Sequence, residues 1–138
     1  MIFYGNPGTG KTTVARLFAK MFKDMGMLRN GQLVECSRVD LIAEYVGQTA
    51  VKTTNVFNSA LGGVLFIDEA YSLSTGADND FGKEAIDTLI KLMEDHRGEI
   101  VVILAGYTKE MNEFLKLNSG LESRFPIRLE FQDYNVKE

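Results

Sequence analysis

Residues 5–13 read GNPGTGKTT and directly follow the apolar stretch MIFY at residues 1–4. They match the pattern G-x-x-x-x-G-K-[ST] in full, and a predicted strand precedes them while a predicted helix follows. In this pattern the backbone curls until its N–H groups face phosphate oxygens. The alternative, a glycine-rich turn with a surface lysine, does not account for the strand–loop–helix context. We therefore predict a phosphate-binding loop made of Gly5, Asn6, Pro7, Gly8, Thr9, Gly10, Lys11, Thr12 and Thr13.

Two side chains of this loop have specific expected partners. Lys11 is expected to meet the β- and γ-phosphates of a nucleotide, and Thr12 to offer its hydroxyl to Mg²⁺. The loop alone does not identify the reaction, because kinases, switches and motors all use it.

Strand-like and helix-like segments alternate along the chain. The predicted strands are residues 1–4, 32–36, 64–68, 100–107 and 127–131. The predicted helices are residues 11–25, a short turn after Ser37, and residues 50–61, 80–97 and 110–117. Such alternation implies a parallel sheet with helices on both faces. We therefore predict one α/β domain over residues 1–138, with phosphates bound at the carboxyl ends of the strands.

Local patterns add detail to the predicted helices. Ser37 and Asp40 fit a capping box, Asp80 is expected to cap the helix that follows a polar loop at 72–80, and Gly98 is expected to end that helix. Helical spacing places several apolar residues on one face of the first helix, where the methionines are interpreted as core filler. These residues are Val14, Phe18, Met21, Phe22 and Met25.

Two acids end the most apolar strand, VLFID at 64–68. Asp68 is placed to hold Mg²⁺ through its water shell, and Glu69 could polarise an attacking water. The alternative is that both acids merely cap the next turn. Together with the phosphate loop, the pair favours hydrolysis, since a kinase of this fold needs no water-activating carboxylate.

Two further polar residues have open assignments. Thr108 follows the strand at 100–107 and is either a sensor of the γ-phosphate or an ordinary N-cap of the next helix. Arg124 is predicted in a loop, with Phe125 and Pro126 packed behind it. It either stabilises charge during phosphoryl transfer or forms a surface pair with Glu122 or Asp133.

Composition excludes several classes of function. A net charge of −4 and a pI of about 5.1 argue against broad binding to nucleic acid or anionic membrane. No apolar run approaches the roughly 20 residues of a membrane span, and no signal peptide is visible. The single Cys36 is compatible with a cytoplasmic location. Because the phosphate loop begins so close to Met1, we expect the chain to be part of a longer protein.

Taken together, GNPGTGKTT, FIDEAY, LAGY and GLESRFP resemble an AAA+ ATPase. Longer stretches resemble the CbxX/CfxQ family: SRVDLIAEYVGQTA, ALGGVLFIDEAYSL, DFGKEAIDTLIKLMED, ILAGYTKEM and LNSGLESRFP. The resemblance covers nearly all of the chain. It implies a three-layer P-loop NTPase core with a five-stranded sheet in the order 5-1-4-3-2. It also implies ATP and Mg²⁺ as ligands, and an oligomeric, usually hexameric ring with ATP between subunits.

The resemblance assigns roles residue by residue. Arg124 aligns with the arginine finger that reaches a neighbour's nucleotide. Thr108 aligns with the sensor position, where many AAA+ proteins carry asparagine instead. Tyr45, Val46 and Gly47 align with the loop that lines the central pore; the alternative for Tyr45 is a half-buried aromatic at a helix end.

The implied function is ATP hydrolysis that drives remodelling of a client protein. Family members reactivate an inhibited carboxylase or serve secretion systems. The alternatives are a nucleotide-gated binding module without a working ring and a clamp-loader-like protein acting on DNA. The family's segment before the phosphate loop and its helical lid after the fifth strand are absent from this sequence, so weak nucleotide binding and slow hydrolysis are expected of the isolated chain.

Overall fold

The computed structural model describes residues 1–5, 10–45, 47–74 and 79–131. Its centre is a five-stranded sheet in the order β2-β3-β4-β1-β5, with every neighbouring pair parallel. Read from the other edge this is 5-1-4-3-2, so the predicted α/β fold and strand order are confirmed. The strands are β1 (Ile2–Tyr4), β2 (Leu33–Cys36), β3 (Val64–Ile67), β4 (Val101–Gly106) and β5 (Arg128–Glu130).

Helices connect the strands. They are α1 (Lys11–Asp24), α2 (Arg38–Leu41), α3 (Thr49–Ser59), α4 (Asn79–Asp95), α5 (Thr108–Leu117) and α6 (Ser119–Arg124), with a 3₁₀ turn at Ala70–Ser74. The predicted capping box is present, since the Ser37 backbone N–H donates to Asp40 Oδ2 at 2.9 Å. None of the described helices is long and apolar enough to cross a membrane.

The sheet separates two apolar cores, because successive side chains of a strand point to opposite faces. One face packs against α1 through Phe3, Phe66, Ile103, Ala15 and Ala19. The opposite face packs against α3, α4, α5 and α6 through Leu65, Ile67, Leu104, Phe57, Leu89, Met111, Phe114 and Leu121. The central strands are buried on both sides, which explains their unbroken apolar sequence.

The methionine interpretation of α1 is wrong. Met21 is 42% exposed and Met25 is 63% exposed. The buried residues of α1 are Ala15, Ala19 and Phe22, so the helix contacts the sheet along its small alanines. The methionines therefore lie away from the buried face of the helix.

Three predicted boundaries are also wrong. Asp80 is not a cap, because α4 begins one residue earlier at Asn79. The polar segment after Tyr71 starts with the 3₁₀ turn rather than a loop. Arg124 lies at the last residue of α6, not in a loop; Phe125 is buried behind it, whereas Pro126 is exposed.

Candidate nucleotide-binding site

A cleft of about 330 Å³ lies at the carboxyl edge of the sheet, beside the N-terminus of α1. Parallel strands in the order found here end at this edge together, which brings β1, β3 and β4 to one place. The cleft is lined by Gly10, Lys11, Thr12, Thr13, Phe66, Asp68, Glu69, Gly106 and Tyr107. The predicted lysine, hydroxyl and acid pair are therefore neighbours in space although they lie far apart in sequence.

The start of the loop is tied to the sheet. Gly5 N–H donates to Gly106 O at 3.0 Å, joining the end of β1 to the end of β4. Gly5 has φ 151° and Gly10 has φ 88°, backbone conformations that favour glycine. Gly10 is the N-cap of α1 and has no side chain to accept from the first N–H groups of the helix. This first turn of α1 lines the cleft. The predicted loop residues at 6–9 lie outside the described residues.

Lys11 is the first residue of α1, and its Nζ donates to Gly5 O at 2.6 Å. This bond brings the lysine side chain to the end of β1, and Lys11 also lines the cleft. Burial lowers the pKa of Lys11, and the Asp68 and Glu69 carboxylates partly oppose that shift. A cation held in this way at the cleft suits an incoming polyphosphate.

Asp68 and Glu69 follow β3 and are exposed at the cleft. Asp68 N–H donates to Cys36 O at 3.0 Å, which extends the pairing of β3 with β2 beyond the strand. Glu69 N–H donates to Asp68 Oδ1 at 3.0 Å, and Glu69 O accepts from Ser72 N–H at 2.9 Å. These contacts hold Glu69 at φ 50°, a left-handed conformation that is uncommon for a non-glycine residue.

At the end of β4, Tyr107 lines the cleft together with Gly106, whereas Thr108 is not among the lining residues. Tyr107 is the N-cap of α5 and Thr108 its first, exposed residue, so the alternative role of Thr108 as N-cap is wrong. The Tyr107 and Tyr71 rings lie 6.4 Å apart. Burial and then the Glu69 carboxylate raise the pKa of Tyr71. The sequence places Tyr107 and Thr108 together at the end of this strand, facing the γ-phosphate, but only Thr108 is assigned a role as sensor there.

Cys36 ends β2 next to this acid segment, and its side chain is buried. Burial, with a smaller contribution from Asp40, raises the pKa of its thiol to about 12. The thiol is therefore protonated at neutral pH, and it is not a candidate nucleophile.

Arg124 lies outside the nucleotide cleft of its own chain. Its Nη2 forms an ion pair with Glu94 Oε1, and its Nη1 donates to Gly120 O at 3.0 Å. The predicted pairing with Glu122 is wrong, because that carboxylate contacts Arg128 at 3.4 Å. Asp133, the other predicted partner, lies outside the described residues.

Tyr45 lies between α2 and α3, and 67% of it is exposed, which rules out the half-buried alternative. Gly47 has φ 82°, and a Cβ added there would meet no atom within 4 Å. The positive φ therefore explains why glycine stands at position 47, and a lack of space for a side chain does not. Val46 lies outside the described residues.

The donor set of the cleft fits Mg²⁺ bound together with a nucleotide. Mg²⁺ typically uses one or two protein oxygens and completes its shell with phosphate and water. Thr12 and Asp68 supply such oxygens in the cleft that Lys11 also lines. Within the described part of the chain, no group of three or more His, Cys, Asp or Glu side chains is placed to hold a metal ion.

Comparison with known proteins gives consistent matches. Residues 1–133 match the family described as "ATPase family associated with various cellular activities (AAA)". The chain is 59% identical over 138 residues to stage V sporulation protein K of Bacillus subtilis, covering 100% of this chain and 43% of that protein. It is 51% identical over 141 residues to the ESX-1 secretion system protein EccA1 of Mycobacterium tuberculosis, covering 100% of this chain and 25% of that protein.

Among solved structures, the fold is similar to the FIGL-1 AAA domain in complex with ADP. The TM-score is 0.68 at 23% identity, and the match covers 99% of this chain and 44% of that one. The chain thus spans less than half the length of these curated relatives and of this structural neighbour.

Proposed function

The chain belongs to the AAA family of ATPases, and we propose that it binds Mg·ATP in the cleft beside α1 and hydrolyses it. The observation that carries this proposal is the meeting of Lys11, Thr12, Asp68 and Glu69 on one cleft at the carboxyl edge of the sheet. A lysine, a hydroxyl and two acids are the groups that phosphoryl transfer to water requires.

Each side chain has a distinct task in this scheme. Lys11 and the first N–H groups of α1 bind the phosphates, where the helix dipole also favours negative charge. Thr12 and Asp68 would hold Mg²⁺, and the bound ion would neutralise charge that develops on the transferred phosphoryl group. Glu69 accepts a proton from the attacking water. Its strained backbone fits this role, because strain persists where the surroundings hold a side chain in a functional orientation.

Substitution of Glu69 by glutamine tests the chemistry. Glu69→Gln keeps the shape of the side chain and removes its basicity. We expect retained ATP binding and hydrolysis lowered by roughly 10²-fold or more, the scale of a lost general base. Near-normal turnover in the full-length protein, measured as phosphate release, would exclude Glu69 as the base.

We further propose that the full-length protein forms an oligomeric, hexameric ring in which Arg124 acts on a neighbour's nucleotide. Support comes from its position outside its own cleft and from its incomplete burial, with 28% of the side chain exposed. Subunits carrying Arg124→Ala mixed with subunits carrying Glu69→Gln should recover part of the turnover, because some interfaces then hold one intact copy of each group. An absence of recovery in verified mixed rings would contradict action between subunits.

The work done by hydrolysis is proposed to be remodelling of a client protein. The exposed Tyr45 supports this, since a large rigid ring grips varied polypeptide at small entropic cost. The relatives named above belong to sporulation and secretion, and in both cases the matched region is only part of the protein. A cytoplasmic site of action is part of the same proposal.

The second candidate is a nucleotide-gated binding module that forms no working ring. The ion pair that holds Arg124 within its own chain is compatible with it. Specific ATPase activity against protein concentration separates the two, because a ring requires neighbours and a module does not. A clamp-loader-like protein acting on DNA is disfavoured by the net charge of −4.

A further inference from the structure

The backbone of Arg124 is fixed against α4. Leu121 and Phe125, on either side of Arg124 in sequence, are each only 1% exposed. Gly120 brings α6 close to α4, since a Cβ at this position would lie 3.2 Å from Ile90 Cδ1. The start of the arginine side chain therefore has a defined position relative to α4.

The guanidinium group is fixed as well. Nη1 donates to Gly120 O within α6, and Nη2 pairs with Glu94 Oε1 on α4. An arginine loses considerable rotamer entropy when its end is held. Because both contacts lie within one chain, much of this entropy is already lost before the chain binds a neighbouring subunit.

The position of Glu94 at the end of α4 favours pairing of its carboxylate with a cation. It lies one residue before the end of α4 at Asp95, and the last turn of that helix contains no basic residue. The C-terminal end of a helix dipole is negative, so an acid there is unfavourable without a compensating charge. The ion pair with Arg124 supplies that charge.

The arginine is also accessible from outside. Arg124 and Glu94 line a surface cleft of about 410 Å³ on the C-terminal end of α4, separate from the nucleotide cleft. Glu94 contacts only part of the guanidinium, which carries five N–H donors. Nη1 also donates to Gly120 O, and Nε is buried. The second N–H groups of Nη1 and Nη2 are therefore the donors that can meet an anion from a neighbouring subunit.

We infer that Glu94 is a positioning residue for Arg124: it holds the guanidinium in the orientation in which it meets a neighbouring subunit's nucleotide. This inference rests on the proposed function, in which Arg124 acts between subunits. Preorganised charge costs no rearrangement at the moment of reaction, which is why its placement affects turnover more than substrate binding.

The mixed-ring assay tests this inference in the full-length protein. Glu94→Ala is placed in the Glu69→Gln subunit, whose intact Arg124 supports the recovered turnover. Recovered kcat should fall by roughly 10-fold, within the range that misplacement of a catalytic group costs. The KM for ATP and the fraction of assembled rings should not change.

The same substitution in the other subunit is the matched control. Glu94→Ala combined with Arg124→Ala has no arginine left to position, so recovered turnover should stay within about two-fold, the additivity expected when no interaction remains. A merely structural Glu94 would instead reduce turnover in either subunit. Glu122→Ala in the Glu69→Gln subunit should have no effect, since its carboxylate pairs with Arg128.

The outcomes separate the inference from the proposed function. If mixing Arg124→Ala and Glu69→Gln subunits recovers no turnover, the proposed role of Arg124 fails, and this inference fails with it. If turnover recovers and Glu94→Ala leaves it unchanged, raises it, or lowers it equally from either subunit, Glu94 does not position Arg124 while the proposed function stands. A loss confined to the arginine-donating subunit supports the inference.

Discussion

Because the backbone at Glu69 has a positive φ, we expect the protein to be more stable with glycine than with alanine at this position. Its φ of 50° lies in the left-handed region, which costs a residue with a Cβ about 1–2 kcal/mol. Glycine removes that cost but loses roughly 0.5–1 kcal/mol through the greater freedom of the unfolded chain. Both variants keep the backbone hydrogen bonds to Asp68 and Ser72. We therefore expect Glu69→Gly to exceed Glu69→Ala in free energy of unfolding by about 0.5–1 kcal/mol.

Urea unfolding of the two variants measures this difference, and a thermal scan should show it as a shift of about 2–4 °C. Lys20, exposed within α1, is the matched control. There Lys20→Gly should be less stable than Lys20→Ala by about 1 kcal/mol, as in an ordinary helix interior. The same sign at both positions would refute the strain argument. Both Glu69 variants should have lost hydrolysis, so stability and activity at this residue are expected to move separately.

Lys11→Ala should weaken binding of ATP more than binding of AMP, measured by calorimetry, because the lysine meets the outer phosphates; an equal loss for both would contradict its assignment. Tyr45→Ala in the full-length protein should retain folding, ring assembly and basal ATPase but lose client-stimulated ATPase, and unchanged remodelling would exclude the tyrosine as the grip. Tyr107→Phe should lower kcat more than Thr108→Ala does, since Tyr107 lines the cleft and Thr108 does not; the reverse order in phosphate-release rates would restore Thr108 as the sensor.

Strand positions and sheet order were predictable because they depend on local apolar runs and on a recurrent topology. VLFID reads as a strand buried on both faces, and residues 64–67 are each at most 1% exposed. The meeting of Lys11, Asp68 and Glu69 at one cleft was predictable for a related reason. Lys11 comes shortly after β1 and the two acids directly after β3, and parallel strands in this order end at one edge of the sheet.

The faces of helices were less predictable, because apolar spacing does not reveal which stripe a sheet will accept. In α1 the residues buried are Ala15, Ala19 and Phe22, while Met21 within the helix and Met25 just after it remain exposed. Small side chains allow close approach of helix to sheet. The face of α1 that contains the alanines is therefore buried, although the methionines offer more apolar area.

Long-range side-chain partners were beyond the reach of sequence reasoning. Glu94 and Arg124 are 30 positions apart, and their ion pair depends on how α6 packs on α4 through Gly120. Nearby acids such as Glu122 are the natural guess from spacing alone. Tyr107 and Thr108 could not be distinguished from sequence either. The exact residue at which α5 begins decides which of the two side chains faces the cleft.

The buried thiol of Cys36 makes the protein suited to site-specific fluorescent labelling. The sequence contains one cysteine, and burial raises the pKa of its thiol to about 12, so this thiol is protonated at neutral pH. Maleimide dyes react with thiolate, so an exposed cysteine introduced by Tyr45→Cys would be modified far faster than the natural one. In this 138-residue chain, a dye at position 45 would therefore report on changes around Tyr45 when nucleotide is added, with Cys36 left in place.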